Sequence, residues 1–174
     1  MPQFLLQLKS IGFVGVQNFP TVGLIDGNFR ANLEETGMGF AQEVEMIRTA
    51  NELDLVTTPY VFNIEEGRQM AAAGADVIVV HLGLTTSGTI GAQTAVTLED
   101  SVRIVQEVRD AVVQVKPDTI VLCHGGPVAA PQDAEYVLSR TKGVHGFFGA
   151  SSMERLPVEQ AILDNAKAFK NLKV

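Results

Sequence analysis

The chain is short of cysteine, of clustered basic residues and of long apolar runs. Its one cysteine, Cys123, rules out an internal disulfide framework and suits a reducing compartment. No basic segment followed by an apolar stretch opens the sequence, so no signal peptide is visible and a cytoplasmic location is expected. Lys and Arg number 13 against 20 Asp and Glu, a net charge of -7 with no basic run. Nucleic acid and anionic membranes are therefore poor partners. No apolar run approaches the ~20 residues of a membrane span. Several motifs are missing as well. There is no H-x-x-x-H, C-x-x-C, G-x-x-x-x-G-K or G-x-S-x-G, so zinc sites of standard spacing, P-loop nucleotide binding and α/β-hydrolase chemistry lose support. No G-x-G-x-x-G follows the first strand, which weakens a dinucleotide-binding fold.

What is present is a globular composition, 46% hydrophobic and 19% charged, over 174 residues. That is enough for one domain, 1–174, with a sizeable core. Strand and helix patterns alternate. Helical ends or helices are expected at 3–10, 34–51, 64–73, 97–115, 132–141 and 157–172. Strands are expected at 13–18, 55–61, 76–82, 119–123 and 144–148. Asn63 and Gly74 bracket one helix, and Thr97 to Asp100 fits a capping box that opens another. Residues 21–29 and 83–97 read as loops. Strict alternation implies an α/β fold with a parallel sheet and helices outside it. Five strand–helix units are too few for a (β/α)8 barrel of about 250 residues. The chain is then either an open doubly wound sheet or part of a barrel.

Two glycine-rich segments follow the last two strands: Cys123-His124-Gly125-Gly126-Pro127, and the run from Gly149 to Pro157. Such loops late in a β/α chain are where barrels commonly bind phosphate. Gly125 and Gly126 would present N–H groups. Gly149, Ser151 and Ser152 would add N–H groups and hydroxyls, and Arg155 would clamp an anion. The competing reading is tight turns, with Arg155 paired to Glu154 or Glu159. His124 and His81 each end a strand, and either could act as a general acid or base at one cavity or simply be hydrogen-bonded within it. His145 starts its strand and belongs at the opposite end. Cys123 points away from His124 and reads as a small buried hydrophobe. Asp26 sits in the first loop with Asn18, Thr21 and Arg30. It is a candidate Mg2+ ligand or base, or a turn former. Glu34, Glu35 and Glu43 read as a solvated helix face. Tyr60 either reaches the mouth or packs in the core.

The segments Gly15–Gly27, His81–Thr85, Cys123–Pro127 and Gly146–Pro157 together resemble the phosphoenolpyruvate hydrolase-like TIM-barrel family, which also supplies the barrel of plant tobamovirus-resistance-type proteins. The likeness runs from about Phe4 to Leu172. It implies a (β/α)8 barrel of the phosphoenolpyruvate mutase and isocitrate lyase class, present here as a partial barrel of five β/α units lacking the first three strands. It implies a hydrolase or lyase acting on a small phosphorylated or 2-oxo acid, with Mg2+ as a possible cofactor. His124, His81 and Asp26 would be catalytic. Gly125, Gly126, Gly149, Ser151, Ser152 and Arg155 would bind the substrate. The alternative is a non-catalytic protein-interaction or regulatory module. An unclosed sheet exposes strand edges, so a homo-oligomer is expected in either case.

Overall fold

The structure is a computed structural model and describes residues 1–173. Its elements are α1 (Pro2–Ser10), β1 (Gly15–Val16), a 3-10 turn (Val22–Leu24), α2 (Gly27–Glu35), α3 (Phe40–Glu52), β2 (Val56–Thr57), β3 (Tyr60–Val61), α4 (Ile64–Ala72), β4 (Val77–His81), α5 (Leu98–Val115), β5 (Ile120–His124), α6 (Pro131–Arg140), β6 (Gly146–Phe147), α7 (Ser151–Glu154) and α8 (Leu156–Lys170). All strand pairs are parallel. β1 pairs with β2, and β3, β4, β5 and β6 form a second sheet in that order.

The expected strand 55–61 is divided because Pro59 has no N–H to give the ladder. Before it, Thr58 N donates to Val16 O; after it, Pro59 O accepts from Val79 N. The segment changes partner at the proline, from β1 on one side to β4 on the other. The two sheets therefore follow one another as a single rank in chain order. No described pairing joins β6 back to β1, so no closed barrel is present among the described residues.

Two expected boundaries are corrected. The helix expected at 34–51 is two helices, and the expected loop 21–29 contains the 3-10 turn and the start of α2. The break is a glycine cap: Gly37 has φ 76°, Gly37 N donates to Glu34 O and Met38 N to Leu33 O. That pair of bonds satisfies the last carbonyls of α2 and turns the chain. The closing helix is likewise preceded by a separate short turn, α7. The predicted caps hold elsewhere. Asn63 accepts from Glu66 N at 2.9 Å, and Thr97 from Asp100 N at 3.0 Å. Gly74, at φ 93°, ends α4.

The core lies between the sheet and α3 to α6. Ile78 and Val80 of β4 and Val121 and Cys123 of β5 face Ile47, Met70, Val105, Val108 and Val112. Strand side chains alternate between faces, so Val79, His81, Leu122 and His124 fall on the side away from the helices. Cys123 is fully buried, and burial pushes its thiol up to about 11. It serves as a small apolar side chain and is chemically inert. Among the described residues no helix is long and apolar enough to cross a membrane.

Candidate functional site

The parallel register of β4 and β5 places His81 directly opposite His124 at the C-terminal ends of the strands. Their rings meet edge to face, with centroids 4.7 Å apart. Tyr60, the first residue of β3, stacks on His124 at 5.0 Å and meets His81 edge-on at 4.8 Å. Phe62 lies 4.9 Å from His81, and Phe148 lies 5.8 Å from His124. Both histidines are buried, at 6% and 8% exposure.

The backbone fixes a different tautomer on each ring. Gly83 N donates to His81 Nδ1 at 3.0 Å. A nitrogen that accepts carries no proton, so neutral His81 has its proton on Nε2. His124 Nδ1 lies 2.6 Å from Phe148 O. A carbonyl can only accept, so Nδ1 carries the proton and Nε2 keeps its lone pair. Neither Nε2 has a hydrogen-bond partner among the described residues. The pair thus offers one donor and one acceptor. Burial, and then the neighbouring His124, pull His81 down to about 4. Burial also lowers His124, against the opposing influence of Phe148 O and the Glu154 carboxylate. Both rings are neutral at pH 7.

Tyr60 is held by a network that sequence reading missed. Tyr60 N donates to Asn18 Oδ1 at 2.7 Å, and Asn18 Nδ2 donates to Tyr60 O at 3.2 Å. The same Nδ2 donates to Glu43 Oε2 at 2.6 Å. Glu43 also accepts from Thr21 Oγ1 and from Val22 N. Glu43 is therefore the anchor of the first loop, a correction to its expected place on a solvated helix face. The partners lie far apart in sequence, so no local pattern announces them.

The first glycine loop packs against Leu82 and Gly83, and the second against its own residues. Gly126 N donates to Gly83 O at 2.7 Å, so that N–H is taken. Gly125 N has no acceptor among the described residues. A Cβ on Gly125 would strike Gly83 O, and one on Gly126 would lie 2.5 Å from Leu82 O. In the last loop, Gly149 packs on Met153 and Ser152, and the Ser152 hydroxyl is buried without a partner. Ser151 O accepts from Arg155 N. The Arg155 side chain pairs with Glu159 at 2.7 Å and donates to Ser87 O at 3.2 Å. Glu159 also accepts from Thr89 N, which with Arg155 holds its carboxyl below the usual range. Arg155 and Glu159 together fasten the 83–97 loop. His145 Nδ1 accepts from Val121 N at the other end of the sheet, where it supports the ladder. Asp26 is exposed at the N-cap of α2 and its side chain makes no cap hydrogen bond. Among the described residues no three His, Cys, Asp or Glu side chains converge as metal ligands.

The chain is similar to known proteins. It is 64% identical over 174 residues to the ToMV susceptible protein tm-1(GCR26) of Solanum lycopersicum, covering 100% of this chain and 23% of that protein. It is 63% identical, with the same coverage, to the ToMV resistance protein Tm-1(GCR237) of the same plant. The chain thus spans under a quarter of the length of these relatives. Among solved structures, 2,3-dimethylmalate lyase, a member of the phosphoenolpyruvate mutase/isocitrate lyase superfamily, matches with TM-score 0.57 at 11% identity, over 95% of this chain and 59% of that one. That likeness concerns the fold alone. The family model for phosphoenolpyruvate hydrolase-like proteins matches residues 1–172, and the chain belongs to that family.

Proposed function

We propose that the strand ends bind a small phosphorylated or 2-oxo acid, such as phosphoenolpyruvate, and that His81 and His124 exchange a proton with it. The observation that carries this is the pairing of opposite tautomers on two touching, neutral rings. His81 Nε2–H donates to a carbonyl or enolate oxygen. With a 2-oxo acid, His124 Nε2 takes a C3 proton while the C–H electron pair moves into the enolate, whose oxygen His81 Nε2–H holds. A neutral imidazole that donates to a developing oxyanion lowers the barrier without gaining or losing its own charge in the resting state.

The anion would be held by Gly125 N–H and by groups of Gly149, Ser151 and the unpartnered Ser152 hydroxyl. Gly126 shapes the loop, since its N–H is used. Arg155 reaches the ligand only by leaving Glu159. Mg2+ would stabilise an enolate oxygen. Asp26 offers it one carboxylate and nothing described converges on it, so no step is assigned to the metal. The rank of parallel strands is read as the last five β/α units of an eight-stranded barrel whose first three strands lie outside this chain. Its chain-order topology and its likeness to the lyase fold support that reading.

Imidazole 15N NMR of the whole chain tests the proposal. His81 Nδ1 and His124 Nε2 are expected to be the unprotonated nitrogens. Titration with phosphoenolpyruvate or pyruvate is expected to shift both Nε2 signals. The same tautomer on both rings, or no shift with either acid, refutes it.

A further inference from the structure

A proton taken up by His124 leaves a charge in a buried place. His124 Nδ1 already carries a proton toward Phe148 O, so a second proton at Nε2 makes the ring an imidazolium. The ring is 8% exposed, and water solvates such a charge poorly. His81 meets it from β4 as a neutral ring. The segment after β6 supplies the Phe148 carbonyl and an edge-to-face ring. Glu154, exposed on α7, favours the charge through space. β3 supplies Tyr60, whose ring is stacked on His124 at 5.0 Å with 25° between the planes.

A cation over an aromatic face, within about 6 Å of its centre, is attracted by the negative face of the ring. Tyr60 stands in that position relative to His124. Burial raises the Tyr60 phenol above its ordinary value, so at pH 7 the side chain is uncharged and acts through its face. It is held in place: Tyr60 is 5% exposed, and Asn18 binds both its N–H and its carbonyl. His81 is placed differently. Phe62 lies 4.9 Å from it at 31°. A second proton on His81 would have to go to Nδ1, which accepts from Gly83 N. One ring is thus built to become a cation and the other to remain neutral.

We infer that Tyr60 is a positioning residue for the proton step, its face stabilising the imidazolium that forms on His124. The inference rests on the proposed reading of His124 as the base. The proton comes from C3 of the 2-oxo acid and its electron pair passes into the enolate. The enolate oxygen stays on His81 Nε2–H, while the positive charge stays on His124 beneath the Tyr60 ring.

The test weakens the ring face and keeps its shape. In the whole chain Tyr60→Phe is followed by replacement of Tyr60 with phenylalanines carrying one, two and five ring fluorines. Far-UV circular dichroism checks the fold of each. Imidazole 15N NMR then follows protonation of ligand-free His124 with pH. Tyr60→Phe is expected to leave the midpoint in place. The fully fluorinated ring is expected to lower it by about one pH unit, tenfold in proton affinity, with the others in order between. Full fluorination of Phe62, beside His81, is expected to leave His124 where it was. A midpoint that stays put along the fluorine series overturns the inference. So does a full fall already in Tyr60→Phe, or an equal fall from Phe62. Deuterium exchange at C3 of pyruvate in heavy water separates this result from the proposed chemistry. Exchange that slows in the same order supports both. No exchange in the unmodified chain removes the chemistry, and the ligand-free titration still decides whether Tyr60 holds the imidazolium.

Discussion

Replacing Asn18 by alanine separates the support of the histidine pair from the pair itself. Asn18 and Tyr60 are 3% and 5% exposed, so water cannot replace what the amide provides. The change removes three hydrogen bonds: Tyr60 N to Oδ1, and Nδ2 to both Tyr60 O and Glu43 Oε2. The orphaned Tyr60 N–H costs about 1–3 kcal/mol, and a bond to a charged acceptor contributes about 1.5–3 kcal/mol. Glu43 keeps Thr21 and Val22, which offsets part of the second loss. The sum is about 3 kcal/mol, or a fall of roughly 6–12 °C in Tm for a domain of this size. Urea unfolding of the whole chain measures the free energy and a thermal melt measures the shift. Glu43→Gln keeps the shape and removes the charge. Combined with Asn18→Ala, it should show a coupling of about 1 kcal/mol or more. A loss below about 1 kcal/mol for Asn18→Ala, or strict additivity of the two changes, refutes the network.

Gly126→Ala should destabilise by about 3 kcal/mol, because φ is 56° and the new Cβ would lie 2.5 Å from Leu82 O, a backbone atom that cannot swing aside. Gly37→Ala, at φ 76° with nothing within 4 Å of the new Cβ, should cost only about 1 kcal/mol; equal losses in chemical denaturation would remove the packing argument. Unfolded His81 takes up its proton near pH 6.5, whereas the folded ring resists until about pH 4. Below pH 6.5 the unfolded state therefore binds more protons, and stability falls by about 3 kcal/mol as pH drops from 6.5 to 4. His124, displaced in the same direction, adds to the loss. Denaturation midpoints at pH 7 and pH 5 should differ less in His81→Gln than in the unmodified chain, and an unchanged difference would show that His81 is not held neutral.

What could be read in the sequence was local or periodic. The alternation of strands and helices, the caps at Asn63 and Thr97 and the stop at Gly74 all follow from neighbouring residues, and all are found. The helix Gly27–Glu35 was hidden because Asp26-Gly27 is a common turn dipeptide, and here the Asp is an N-cap instead. The cap at Gly37 was hidden inside a pattern that keeps its period across the break. Placement of His81 and His124 at strand ends was legible from their position before glycines. Their opposite tautomers were not, since these depend on Gly83 N and Phe148 O reaching the two rings. The Asn18–Glu43 bond, between residues 25 apart, had no signal at all.

The donor inventory of the strand ends narrows the ligand further. Glycines in such loops usually suggest backbone brought close to phosphate. Here Gly125 and Gly126 bring backbone close to Gly83 and Leu82, and the N–H of Gly126 is spent there. The histidine pair contributes one N–H and one lone pair. A fully ionised tetrahedral anion such as sulfate has only lone pairs to offer, and would set them against His124 Nε2. A molecule with an oxygen that accepts and an adjacent proton to give would satisfy both rings, as an enol or 2-oxo acid does. On the proposed reading, sulfate, which carries no proton near neutral pH, should therefore bind more weakly than pyruvate, and a preference for sulfate would return the weight to the glycine loops.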